Sequence, residues 1–157
     1  MQSGEAQSSG TTKKAYTSRK MRVLLVATLA ILSVQGWLGD VVNLFVSTSP
    51  TAAPPFGFAG FFQGLGTLNS LPLLWHAYEG MLLIALAIAV LALSFKWSKS
   101  RGVRIASILG LFFILSAAFG GFLFVLSGFS NGGNSAQMGG SFIGGYALYF
   151  VALFYAK

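Results

Sequence analysis

The ionisable side chains within the apolar part of this chain fall at related positions. Asp40 and Glu79 lie inside long hydrophobic stretches, and the single histidine, His76, precedes Glu79 by three residues. Residues three apart share one face of a helix, so Asp40 pairs with Asn43 as His76 pairs with Glu79. If the two faces oppose each other, they form an acid–imidazole–acid cluster that Gln35 extends inward. Ionisable residues inside a membrane span cost about 2.5 to 3.5 kcal/mol, which indicates a functional site.

Three kinds of site are compatible with this polar cluster. The first is a hydrogen-bonded network that sets the register of the helices. The second is haem ligation by His76, with a carboxylate orienting the neutral imidazole, which makes haem b a candidate cofactor. The third is a small metal or proton site, although one imidazole with two carboxylates and an amide matches no diagnostic metal spacing. The absence of cysteine excludes disulfides, iron–sulfur clusters and a cysteine nucleophile.

The composition requires lipid as the solvent of the elements that carry these residues. The 157 residues are 55% hydrophobic and 8% charged, and their mean hydropathy is +0.74. So few polar side chains cannot cover a water-soluble globule of this size. Because about 20 apolar residues cross a bilayer core and the links are short, we expect an all-α membrane protein with an up-down-up-down bundle of four helices. The predicted helices are 22–46, 72–95, 104–128 and 138–156.

The positions of the basic residues predict the orientation of this bundle. The segments 47–71 and 129–137 contain no Lys or Arg. The positive-inside rule therefore places both termini in the cytoplasm of a multi-pass protein of the cell membrane. The net charge of +7 then reflects topology rather than nucleic-acid binding. The basic residues are Lys13, Lys14, Arg19, Lys20 and Arg22 before or at the start of the first helix, Lys96, Lys99, Arg101 and Arg104 in the middle link, and Lys157 at the end.

The segments outside the predicted spans differ in character. Residues 1–20 form a polar basic tail, rich in Ser, Thr and Gly, which we expect to be disordered by itself, whereas 21–157 form the transmembrane domain. The outer loop 47–71 is predicted to hold a short aromatic element in the headgroup region. The segment 129–137 is predicted to be a polar turn. Three prolines prevent a regular helix at the start of the outer loop: Pro50, Pro54 and Pro55.

Small residues recur at helical spacing in the third and fourth predicted helices. Where lipid removes the hydrophobic drive between helices, small residues four apart let two backbones approach closely. We expect the third helix to pack on the fourth through these positions, and a dedicated dimer motif is the alternative. The predicted packing residues are Ser116, Gly120, Gly121, Gly140 and Gly144.

Three segments resemble half-size, four-helix membrane proteins similar to haem A synthases. VQGWLGDVVNLF resembles the opening-helix pattern V-Q-x-x-L-G-x-x-V of that family, and LLWHAYEGMLLIALAIAVLAL resembles its next helix. KWSKSRGVRIASILGLFFILSAAFGG continues the resemblance, which covers residues 22–156. The resemblance implies that His76 is the haem-facing histidine of the second helix. The family's second histidine, in the fourth helix, has no counterpart here.

Two functional hypotheses follow from these observations. The first is a non-catalytic integral membrane subunit or accessory protein of a larger complex, of respiration or another form of energy conversion. It rests on the small size of the chain and the scarcity of reactive side chains, and it predicts the lipid bilayer and other membrane subunits as partners. The alternative is a haem-binding redox or haem-modifying membrane protein that uses His76. Neither hypothesis assigns a catalytic residue or a metal site.

Overall fold

The computed structural model describes residues 6–45, 52–66 and 70–156, with side chains from residue 19 onward. All regular elements in these ranges are helices, and none is a strand. Four of them contain segments long and apolar enough to cross a membrane, namely Arg19–Phe45, Leu71–Trp97, Arg101–Leu126 and Gly132–Tyr155. The predicted all-helical architecture with four such helices is therefore confirmed. The elements are α1 (Ala6–Phe45), α2 (Phe58–Gly66), α3 (Leu71–Trp97), α4 (Arg101–Leu126) and α5 (Gly132–Tyr155).

The first and last of the long helices begin well before the residues that the sequence patterns indicate. The backbone is helical from Ala6, where we expected a disordered tail. Nucleation is the costly step of helix formation, so a helix that already exists in a span extends at a lower cost. The other case is α5, which begins at Gly132 instead of 138. Asn131 caps it, since its side-chain oxygen accepts a hydrogen bond from the Gly133 N–H at 3.0 Å.

The link between α3 and α4 lies at the same end of the molecule as the start of the α1 span. The Lys20 ammonium is 5.7 Å from the centroid of the Trp97 ring, and the Arg104 guanidinium is 5.3 Å from that of Phe95. Arg104 also donates a hydrogen bond to the Ser98 carbonyl oxygen at 2.8 Å. Described basic residues from two parts of the sequence are thus gathered at one end.

The most extensive interface joins α4 and α5, which run in opposite directions. Gly102 lies against the Tyr155 ring and Gly110 against the Tyr149 ring, while Gly120 lies against the Asn134 backbone. A Cβ atom at Gly110 would be 2.9 Å from Tyr149 Cζ, so the tyrosine ring uses the space that a glycine leaves. The main core, shared by α1, α3, α4 and α5, includes the fully buried side chains Met21, Leu25, Leu32, Val90, Val103 and Tyr149.

The short helix α2 packs against α4 through aromatic rings. Phe122 of α4 is the centre of this contact, with ring centroids of Phe56, Phe58 and Phe61 at 6.3, 5.7 and 5.3 Å. The close approach also needs Gly64, where a Cβ atom would be 2.7 Å from Val125 Cγ1. The segment between α1 and α3 thus contains a short aromatic helix that packs against the bundle.

Candidate functional site

Gln35 of α1 and His76 of α3 meet in the interface between their helices. The Gln35 side-chain amide donates a hydrogen bond to the His76 backbone carbonyl oxygen at 3.0 Å. Each polar side chain faces a glycine of the other helix: a Cβ atom at Gly39 would be 3.3 Å from His76 Cε1, and one at Gly80 would be 3.4 Å from Gln35 Nε2. The two glycines therefore provide the space that the two polar groups occupy.

This pair keeps hydrogen-bonding capacity beyond the bond it makes. Gln35 is only 8% exposed, and its Oε1 atom is buried with no hydrogen-bond partner among the described residues. The Nδ1 atom of His76 is in the same condition. A buried polar atom left unpaired costs about 1 to 3 kcal/mol. The packing of the surrounding side chains has to offset this cost for the contact to form.

Asp40 does not join His76, which divides the predicted acid–imidazole–acid cluster. Its side chain is exposed and lines a groove between α1 and α5. Successive residues of a helix are separated by about 100°, so Gly39 can face α3 while Asp40 turns towards α5. Asp40 and His76 lie at similar depths in the predicted spans, but they do not face each other.

The other two members of the predicted cluster are also separate from the Gln35–His76 contact. Asn43 is exposed and Glu79 is half-buried. Neither makes a hydrogen bond or an ion pair with any residue that the structure describes. Among the residues that the sequence places in this cluster, Gln35 and His76 are therefore the only two that a hydrogen bond links in the described structure.

The groove between α1 and α5 was not found from the sequence. It has a volume of about 440 Å³ and is lined by Ser33, Gly36, Trp37, Asp40, Phe142, Ile143 and Tyr146. The Ser33 and Tyr146 hydroxyl oxygens lie 3.4 Å apart across it. A usable signal did exist on α1, because the spacing of Ser33, Trp37 and Asp40 places them on one helical face. Their partners on α5 carry no comparable signal.

The predicted packing residues fall into two groups. Most of them lie in the interface between α4 and α5. The Ser116 and Ser141 hydroxyl oxygens are 2.9 Å apart, and a Cβ atom at Gly144 would be 2.6 Å from the Phe113 ring. Gly140 is the exception, because it is exposed and a Cβ atom there would have no neighbour within 4 Å. The remaining contacts are those of Gly120 with the Asn134 and Met138 backbone and of Gly121 with Met138 Sδ.

The surroundings of His76 do not fit a haem ligated through Nδ1. That nitrogen is buried, and the Cε1 edge of the ring lies beside Gly39 of α1. For a metal ion without a porphyrin, the described residues contain no group of three or more His, Asp or Glu side chains that could hold it. The hydrogen bond between the helices at this point is accepted by the His76 backbone carbonyl, and the imidazole Nδ1 makes none with the described residues.

Fold and site together define the class as an all-helical, multi-pass membrane protein whose apolar helices contact lipid. No protein-family model matches the chain, and neither does any curated protein or solved structure. The resemblance to haem A synthases stays a prediction. The function proposed for this chain therefore rests on the contacts within it.

Proposed function

We propose that this chain is a non-catalytic integral membrane subunit or accessory protein of a larger membrane complex. The observation that carries the proposal is that polar and small residues inside the predicted spans form contacts between the helices of this chain. Gln35 with His76, and Ser116 with Ser141, link one helix to another. Gly140 belongs to the same predicted set of packing residues, but it faces outward. The energy-converting character of the complex stays a prediction of the sequence.

The proposal includes an up-down-up-down arrangement with both termini in the cytoplasm of a cell. Lys20 and Arg104, at the Trp97 and Phe95 rings, mark the end of the bundle that carries the basic link. The opposite end carries α2 and the link between α4 and α5, whose segments 47–71 and 129–137 have no Lys or Arg. This asymmetry supports placing the basic end inside.

The surface of α5 supplies the expected contact with a partner. Ala136 and Gly140 are exposed and lie four residues apart, which places them on one face near the start of that helix. In a bilayer, small residues allow a second helix to approach closely enough for van der Waals packing to favour association. We therefore expect a helix of another subunit to pack along this face.

Native mass spectrometry of the chain purified from its own membrane tests the proposal. We expect a complex of defined stoichiometry with other membrane subunits. Gly140→Leu should remove the partner without changing the thermal stability of the chain, because no residue that the structure describes lies against a Cβ atom at that position. Ala85→Leu, a similar change at an exposed small residue of α3, should keep the partner. A wild-type chain that carries no other subunit when it is extracted from its own membrane under native conditions would contradict the proposal.

An absorption spectrum separates this proposal from haem binding. We expect this chain to contribute no Soret band to the spectrum of the purified complex, so His76→Gln should leave the visible spectrum unchanged. A Soret band that is lost in His76→Gln while the protein stays folded would favour the haem-binding alternative.

A further inference from the structure

The groove between α1 and α5 opens along the side of the bundle. Asp40 lies five residues before the end of α1 at Phe45, which corresponds to a depth of roughly 7.5 Å below the helix end. Trp37 is one turn further in and is 65% exposed, and Ser33 lies a further turn along the same face. The groove therefore presents a carboxylate, an indole and a hydroxyl in order of increasing depth.

No cation of the described chain reaches the Asp40 carboxylate. Asp40 makes no ion pair with any described residue, and Lys20 and Arg104 lie at the opposite end of the bundle. The two outer segments that flank Asp40's end contain no Lys or Arg. A second copy inserted in the same orientation has the same distribution of charge, so it cannot supply the cation either. A positive group for Asp40 has to come from another kind of molecule.

We propose that this groove binds a phospholipid with a primary-amine headgroup, of the phosphatidylethanolamine type. The ammonium donates hydrogen bonds to the Asp40 carboxylate, and charge-assisted bonds of this kind are about twice as strong as neutral ones. The Trp37 indole N–H donates to the phosphate, in keeping with the preference of Trp for the membrane interface. An acyl chain packs on the apolar surface of Phe142 and Ile143.

The spacing along α1 suits such a headgroup. Asp40 and Trp37 are three residues apart, so their Cα atoms differ in height by roughly 4.5 Å. The ethanolamine unit places only two carbons between its nitrogen and the phosphate oxygen, which is a similar length. The groove has a volume of about 440 Å³ and is open to the side of the bundle, as a site for a lipid lying along the protein surface has to be.

The chemistry of Asp40 ranks the headgroups. A primary ammonium has three N–H donors for the carboxylate. A choline headgroup has the same charge but no N–H group, so it makes no hydrogen bond, and a purely anionic headgroup is repelled. Successive N-methylation of the ethanolamine removes these N–H donors one at a time while the acyl chains stay the same. Binding should therefore weaken with each methyl group.

Native mass spectrometry of retained lipids tests the ranking on the wild-type chain. The full chain is delipidated and placed in nanodiscs with equal amounts of dioleoyl phosphatidylethanolamine, its N-methyl and N,N-dimethyl forms, and dioleoyl phosphatidylcholine. We expect about fivefold more ethanolamine than choline lipid on the released protein, equivalent to ~1 kcal/mol, which is the net contribution of about one hydrogen bond. Equal retention across the series would overturn the proposal.

Asp40→Asn assigns the preference to the groove. It removes the charge but keeps the size, and because Asp40 is exposed with no partner in the described chain, we expect the fold to survive. The ratio of ethanolamine to choline lipid should fall to about one. Glu79→Gln removes the other carboxylate of the predicted spans, which does not line the groove, and should keep the wild-type ratio.

The remaining outcomes also decide the question. If Asp40→Asn keeps the lipid preference, the proposal is overturned. If it instead loses a protein subunit and the lipid ratio was never above one, Asp40 serves a basic partner helix, which overturns the lipid site but leaves the proposed subunit function standing. If the variant fails to fold, the N-methylation series on the wild-type chain decides by itself.

Discussion

Gly140 and Gly144 differ by one turn of α5 and have opposite surroundings. A Cβ atom at Gly144 would meet the Phe113 ring at 2.6 Å, whereas Gly140 has open space on that side. Neither the residue type nor the local sequence GGSFIGGY separates the two positions. Residues four apart share a helical face, so the difference lies in what is opposite each position: the Phe113 ring lies against Gly144, and no described atom is within 4 Å of a Cβ at Gly140. The two glycines provide a matched pair of substitutions.

Gly144→Leu should destabilise the isolated chain. The added side chain has to displace Phe113, and overpacking of this kind costs about 1 to 3 kcal/mol. We expect a lower melting temperature in detergent, measured by circular dichroism or intrinsic fluorescence. Gly140→Leu is the control and should leave the melting temperature unchanged. Equal stability of the two variants would show that α4 and α5 are not in contact at Gly144.

The contact between α1 and α3 can be tested by pairing each polar side chain with the glycine opposite. Gly39→Leu should destabilise the chain by about 1 to 3 kcal/mol, because the new side chain collides with the His76 ring. Adding His76→Ala makes room for the leucine, so the double variant should be less destabilised than the sum of the single variants. Chemical denaturation in detergent measures the coupling. Strict additivity would contradict the contact between these residues.

Much of the contact between α2 and α4 is made by one ring of α4. Phe122 contacts Phe56, Phe58 and Phe61, while Gly64 packs against Val125, so Phe122→Ala should loosen α2 while the four long helices stay assembled. Hydrogen exchange measured by mass spectrometry should become faster in 58–66. Phe112→Ala, at an exposed ring elsewhere on α4, is the control and should leave the exchange of α2 unchanged. Protection of α2 that persists in Phe122→Ala would show that other contacts hold it.

The orientation of the whole molecule has a direct test because the chain has no cysteine of its own. Single cysteines at Ser9 and Ser130 report on opposite ends of the bundle. A membrane-impermeant maleimide added to intact cells should label the cysteine at Ser130 but not the one at Ser9, because the positive-inside rule predicts that the basic end of the bundle faces the cytoplasm. Permeabilised cells, in which both positions should react, are the control. Labelling of Ser9 in intact cells would invert the proposed topology.

The sequence by itself determines the class of the molecule. Hydrophobic content and the lengths of the apolar stretches predict four membrane-spanning helices, and the structure contains four helices that meet these criteria. A short aromatic element in the outer loop could also be predicted, since prolines precede a phenylalanine-rich segment. These features depend on local composition and length, which can be read along one chain without knowing which helices are neighbours.

Only the tertiary structure decides which residues meet. Asp40 and His76 have matching depths in the predicted spans, yet the rotation of α1 turns Gly39 towards His76 and Asp40 towards α5. A rotation of about 100° per residue means that neighbouring positions face different helices, and sequence spacing describes a face only within its own helix. The groove at Asp40 and the Gln35–His76 contact therefore emerge from how the helices pack, because each is built from residues of two helices whose relative rotation no single stretch of sequence contains.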